Sequence, residues 1–180
     1  ELKAAIKPEV KKADKKAKSN HVQLNVFDDK ADFLPYEKYE DPEEILVIHV
    51  LACDSDGFLG EDLLSILLGC DCRFGEMNIF HRYESANGKG KVQFSVVNMV
   101  EPGIFVLDSI QEFTTPGVSL FMRLPGPKDA MDAYEAMVGV AQCIVKNLNG
   151  MLRDEFHNPM TEQTLEHERQ RVRDYLQRRL

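Results

Sequence analysis

The side chains with the most chemistry to offer in this 180-residue chain are its histidines and cysteines. His49, His81, His157 and His167 are candidate bases or metal ligands, and Cys53, Cys70, Cys72 and Cys143 are candidate nucleophiles or ligands. Their spacing favours neither use. The cysteines give one C-x-C pair and two distant singles, which is neither a C-x-x-C redox motif nor a pair of zinc knuckles. In a reduced setting they are expected to pack as small buried hydrophobes. No two histidines form a recognisable ligand pair, and the chain holds no G-x-S-x-G, P-loop, H-E-x-x-H or dinucleotide fingerprint. His49 and Cys53 are close in sequence, but a cysteine nucleophile needs its base in contact and a third group to orient that base. Asp54, Asp56, Glu61 and Asp62 surround a glycine turn at a spacing foreign to an EF-hand, so they read as a solvated turn and helix start. The histidines are accordingly expected to be packed or at the surface. No cofactor or metal is implied, and a small cytoplasmic α/β enzyme with an unrecognised pocket is the catalytic alternative.

Charge narrows the partners. The chain carries 22 Lys and Arg against 30 Asp and Glu, a net charge of −8, which argues against nucleic-acid binding through overall positive charge. Arg169, Arg171, Arg173, Arg178 and Arg179 make the C-terminal end locally basic, as expected of a solvated helix end whose dipole favours cations. A hydrophobic content of 43% with 29% charged residues is that of an ordinary globular domain. No apolar run approaches the roughly 20 residues needed to cross a bilayer, and the lysine-rich start leads into no signal-peptide segment.

The elements that must position any site begin after residue 42. Residues 1–19 carry Lys3, Lys7, Lys11, Lys12, Lys15, Lys16 and Lys18 with almost no apolar face, and residues 20–44 scatter single hydrophobes among acids and prolines. The expected organisation is therefore a flexible lysine-rich and acidic linker over residues 1–42, followed by a folded domain over residues 43–180. The run 45–51 is short and β-branched, so it reads as a strand that is apolar on both faces. Leu59, Leu63, Leu64, Leu67 and Leu68 recur at helical spacing, with Gly69 as the expected C-cap. Residues 77–83 and 91–100 read as hairpin strands around Asn87-Gly88, and 118–124 as another strand. A helix over 129–148 stops at Asn149-Gly150, a short strand follows at 151–156, and Thr161 caps a final helix. This order predicts an α+β domain with a mainly antiparallel sheet and helices on one face.

Strand alternation then exposes an anomaly. If Leu46, Ile48, Val50, Phe80, Phe94, Val96, Leu120 and Met122 face the helices, the other face receives Ile45, Val47, Met77, Ile79, Val97, Met99, Ser119 and Phe121. A sheet covered on one side only should be polar on the other, and this second set is apolar. Either a further layer covers it, or it is an exposed patch of the kind that receives a partner. Met77 and Met99 suit a surface that adapts to an apolar peptide.

Three ordered blocks carry a resemblance: Phe74 through Arg82 (FGEMNIFHR), Phe94 through Gly103 (FSVVNMVEPG) and Phe113 through Met122 (FTTPGVSLFM). Together they resemble the C-terminal domain of the ZipA family of bacterial cell-division proteins, over a stretch from about Ile45 to the C-terminus. The resemblance implies a split β-α-β fold, in which a six-stranded antiparallel sheet carries three helices on one face and an exposed apolar opposite face. It implies an adaptor, not an enzyme, that binds the C-terminal tail peptide of the tubulin-like protein FtsZ and helps tether and stabilise the division ring at the inner membrane. Position by position, the implied groove falls on Ile45, Val47, Met77, Ile79, Val97, Met99, Ser119 and Phe121, the residues alternation had left on the unexplained face. Glu101 stands at the rim where the family carries a lysine, so the apolar centre is expected to supply most of the affinity. Membrane contact is expected only through an N-terminal anchor absent from this chain.

Overall fold

A computed structural model describes residues 41–180, so the expected linker, residues 1–42, lies almost wholly outside the described residues. In chain order the elements are β1 (Glu44–Ala52), β2 (Phe58–Leu59), α1 (Gly60–Gly69), β3 (Cys72–Phe74), β4 (Phe80–Tyr83), β5 (Val92–Asn98), β6 (Thr114–Thr115), β7 (Gly117–Leu124), α2 (Ala130–Leu148), β8 (Gly150–Arg153) and α3 (Glu162–Arg178). Six strands form one antiparallel sheet in the order β3-β4-β5-β7-β1-β8, and β2 pairs with β6 in a small separate ribbon. The expected α+β class with a six-stranded antiparallel sheet is the observed one.

One face of the sheet makes the core. Leu46, Ile48 and Val50 of β1 and Val118, Leu120, Met122 and Leu124 of β7 are fully buried. They belong to one cluster with Leu63 and Leu67 of α1, Ala133, Tyr134, Met137, Ala141 and Ile144 of α2, and Leu165 and Val172 of α3. All three helices therefore reach the same side of the sheet, and each large aliphatic side chain buried there stabilises by about 1.5–3 kcal/mol. The two longer helices begin at satisfied caps. The Asp129 carboxylate accepts from the Asp132 N–H at 2.8 Å, and Thr161 and Thr164 form a reciprocal capping box. Inside, the Tyr134 hydroxyl donates to the Glu168 carboxylate at 2.6 Å, and burial pushes that carboxyl above the ordinary carboxylate range.

Several local expectations change. The strand expected over 77–83 starts only at Phe80, because Met77 and Asn78 take left-handed backbone (φ +61° and +56°) inside a single 3-10 turn, Glu76–Asn78. The strand expected over 151–156 runs instead over Gly150–Arg153, and the Asp154 carboxylate ends it by accepting the N–H groups of Phe156 and Asn158. Gly69 does not cap α1 but completes it, and the left-handed residue is Asp71 at φ +62°. Of the cysteines expected to be buried, only Cys72 is; Cys70 and Cys143 are half-buried and Cys53 is exposed. The C-terminal arginines are not simply solvated: Arg169 bridges Glu135 and Glu162, Arg171 bridges Glu44 and Glu155, and Arg173 meets Glu166. Arg171 thereby ties α3 to the first residue of β1.

Candidate functional site

The second face of the sheet is set by register. Residues opposite each other in antiparallel strands share a face, with Cβ atoms about 5 Å apart. Val47 of β1 lies opposite Phe121 of β7, and Phe121 lies opposite Ser95 of β5, which lies opposite His81 of β4. In the next row Val97 faces Ser119, Ser119 faces His49, and His49 faces Arg153 of β8. In the row beyond, Leu51 faces Gly117 on one side and Met151 on the other. None of these side chains belongs to the helix-packed cluster; His81 and Ser95 are buried, while Val47, Phe121, Val97, Ser119, His49, Leu51 and Arg153 are only half-buried, so the face is open over β7, β1 and β8.

The expected residues do not contribute equally. Val47, Val97, Met99, Ser119 and Phe121 are half-buried at the centre, and Ile45 stands at the margin with 42% of its surface exposed; Met77, 53% exposed, lies in the turn before β4, outside the strand register. Ile79 is 4% exposed, closed in beside the turn where the Gly75 N–H donates to the Ile79 carbonyl at 3.0 Å. It supports the floor of the face and offers little contact area. Met99 lies just past β5, fixed by its N–H donating to the Gly117 carbonyl at 3.1 Å. A Cβ on Gly117 would come within 2.5 Å of both the Met99 sulfur and the Val50 carbonyl oxygen; the thioether could move aside but the β1 backbone could not, so the close strand approach is what demands glycine there. The Asn98 carboxamide braces the same corner, accepting from Thr115 Oγ1 at 2.7 Å and from the Val100 N–H at 3.1 Å. Glu101, an exposed residue, follows on this braced loop.

The alternation reading named the apolar members of the face and Ser119, and missed the polar His49, His81 and Ser95. His81 Nδ1 lies 2.7 Å from Ser95 Oγ and its Nε2 bonds the Glu76 carbonyl at 3.0 Å, so the β4 side is closed by a buried polar pair. His49 Nδ1 lies 2.7 Å from Ser119 Oγ, and its ring stacks on His157 at 4.1 Å. Desolvation and the neighbouring His157 hold His49 below the ordinary imidazole value. The signal for His49, His81 and Ser95 was the same period of two that placed Val47, Ile79 and Val97.

Two serine hydroxyls meet histidine rings here, Ser119 with His49 and Ser95 with His81, but the other polar contact of each ring is a backbone carbonyl, of Glu155 and Glu76, and not an orienting carboxylate. His49 and Cys53 are four residues apart at the end of an extended strand, about 13 Å at ordinary strand rise. Burial pushes the thiols of Cys70 and Cys72 up to about 11 and about 12, which keeps them protonated and poorly nucleophilic at neutral pH. A concavity of about 480 Å³ lies between β2 and the end of α2 and is lined by Asp62, Lys146, Asn147 and Asn149 with neighbouring apolar groups, without a cysteine, serine or histidine. The described residues hold no group of three or more His, Cys, Asp or Glu arranged for a metal, and no helix long and apolar enough to cross a membrane.

Comparison with known proteins identifies the family. The family described as ZipA, C-terminal FtsZ-binding domain, matches residues 44–171. The chain belongs to the ZipA family. It is 45% identical over 153 residues to the cell division protein ZipA of Stutzerimonas stutzeri, covering 85% of this chain and 56% of that protein. It is 49% identical over 138 residues to the ZipA protein of Pseudomonas fluorescens strain Pf0-1, covering 77% of this chain and 48% of that protein. The ZipA protein of Marinobacter nauticus is 48% identical over 132 residues, 73% of this chain and 39% of that protein. The chain thus spans about half the length of the curated relatives it matches. The ZipA match starts at the first residue of β1 and ends within α3, so it contains the whole sheet and every residue of the open face.

Proposed function

We propose that this domain is an adaptor that binds the C-terminal tail peptide of FtsZ on the open face of its sheet. The observation that carries the reading is the apolar strip of Val47, Phe121, Val97 and Met99, which lies outside the core that all three helices share. An exposed apolar surface of this kind on a folded domain marks a docking site, and the family to which the chain belongs is described as FtsZ-binding. Phe121 and Val47 form the centre, Val97 and Met99 the β5 side, and Ile45 and Met77 the margins, with Ser119 the polar group among them and Ile79 beneath.

Docking needs no cofactor and no covalent step. A tail peptide that is disordered when free orders as it binds, so the apolar contacts must exceed the conformational entropy lost. A micromolar dissociation constant, about −8 kcal/mol, is the expected scale for a face of this size. Many tails on one polymer then add avidity when the adaptor is held at a membrane, which is how single weak contacts serve to tether the division ring.

The test is direct titration of the purified domain against a fluorescently labelled synthetic FtsZ C-terminal peptide. Saturable anisotropy in the micromolar range is expected. No binding at about 1 mM peptide contradicts the proposal.

A further inference from the structure

His49 is the residue through which the turn after β8 reaches the open face. It stands in the row of Val97 and Ser119, between β7 and β8. Its Nδ1 lies 2.7 Å from Ser119 Oγ, and its other polar contact is the Glu155 carbonyl. The ring centres of His49 and His157 are 4.1 Å apart, with planes 8° from parallel. His157 is an exposed residue in left-handed backbone (φ +63°), in a turn that closes largely on itself. The Asp154 carboxylate accepts the N–H groups of Phe156 and Asn158 at 2.9 and 2.8 Å, and the Asp154 carbonyl accepts that of His157 at 2.9 Å. Glu155 ties the base of the turn to Arg171 of α3 at 3.3 Å. The stack thus lays the tip of the turn on the open side of the sheet, beside β8.

The surroundings of the stack oppose a proton there. From β8, Arg153 lies opposite His49 and donates through Nη1 to the His157 carbonyl at 3.3 Å. From β7 the neighbour is the uncharged Ser119. Within the turn, Asp154 attracts a proton but its carboxylate already accepts two N–H groups, and Glu155 is paired with Arg171. On the far side of the turn α3 contributes His167 and Glu168 beside Arg171. Burial and the neighbouring His157 outweigh the Glu155 carbonyl and Asp154, and His49 titrates below the ordinary imidazole value. Protons on both rings set two cations face to face, with the Arg153 guanidinium as a third charge, and parting the rings relieves the repulsion. We propose that the His49–His157 stack is a proton-sensitive latch that holds the turn after β8 against the docking face and releases it as the rings become charged. Its consequence for binding rests on the docking reading above: with the turn released, the face loses its wall beside β8. The latch is closed at neutral pH and opens as pH falls below about 6.5, the ordinary imidazole value.

The experiment follows backbone NMR relaxation of the full chain from pH 7.5 to 5.5 without peptide, in the parent and in its His49→Gln and His157→Asn variants. Glutamine at 49 keeps an amide for Ser119 and the Glu155 carbonyl but does not titrate, and asparagine at 157 suits left-handed backbone but removes the ring. In the parent the heteronuclear NOEs of Phe156, His157 and Asn158 should fall as pH drops. In His49→Gln they should stay level, and in His157→Asn those of 156–158 should already be low at pH 7.5. Affinity for the synthetic FtsZ C-terminal peptide, by anisotropy at the same pH values, should fall about threefold to fivefold in the parent and less than twofold in His49→Gln. That comparison removes any titration of the peptide, of His167 or of Glu168, which both forms share. A parent turn equally ordered at pH 7.5 and 5.5, or an equal loss of affinity in His49→Gln, overturns the latch and leaves the docking reading standing. If no form binds the peptide at about 1 mM, the docking reading falls, and the latch stands or falls on the relaxation data.

Discussion

Phe121 and Leu120 are neighbours on β7 whose side chains leave the sheet on opposite faces, so truncating each to alanine should separate affinity from stability. Leu120 is fully buried in the shared core, and Leu120→Ala should cost about 2–5 kcal/mol of folding free energy through lost transfer and a residual cavity. Phe121 is half-buried between Val47 and Ser95, and removing its ring forfeits cross-strand contacts that contribute about 1 kcal/mol to the fold. Its larger effect should be on binding. A phenylalanine side chain carries about 150–250 Å², and with roughly 50 Å² of the ring left for a partner, burial at about 25 cal/mol per Å² contributes about 1.3 kcal/mol, close to tenfold in affinity. Urea denaturation measures the first quantity and anisotropy with the FtsZ tail peptide the second, at a temperature where both variants are folded. If Phe121→Ala binds within twofold of the parent, or Leu120→Ala loses as much affinity as Phe121→Ala, the two-faced account of β7 is refuted.

Other consequences follow from the charged groups. Glu101→Lys should tighten binding of an acidic tail severalfold at low salt, with the gain disappearing near 0.5 M salt in the same titration, because rim charges act through screened long-range attraction. Tyr134→Phe should destabilise the domain by about 1–3 kcal/mol by leaving the Glu168 carboxylate buried without its 2.6 Å donor. Because burial raises the Glu168 carboxyl, folding is disfavoured while it is charged, so the penalty should shrink as pH falls toward 4.5 in urea titrations at stepped pH. For His49 the sign is reversed. Its folded value lies below the ordinary 6.5, so the unfolded chain takes up a proton that the folded one refuses, and stability should drop as pH falls from 7 through 6.5. His49→Gln should flatten that part of the Tm-against-pH curve.

The sequence carried the architecture where a period could be read. Leu46, Ile48 and Val50 alternate with Ile45, Val47 and His49, and that alternation alone separates the core face from the open one. The strands Phe58–Leu59, Cys72–Phe74 and Thr114–Thr115 are too short to show any period, so nothing local announces them. The alternation that set Met77 among the strand residues does not reach it: it takes left-handed backbone in the turn that closes on Ile79, a tertiary constraint. The place of Arg153 was hidden for another reason. Arg153 reaches the face only through pairing of β8 with β1, a contact between residues about 100 positions apart, which no local pattern encodes.

The central claim is that a peptide docks on the sheet face opposite the helices, and methyl NMR of the domain titrated with the FtsZ tail peptide tests it most directly. The account predicts saturable shifts at Ile45, Val47, Val97 and Met99, with Ile48, Val50, Val96 and Leu120 unmoved. Shifts confined to the core face, to α1 and α2, or absent at saturating peptide would contradict it.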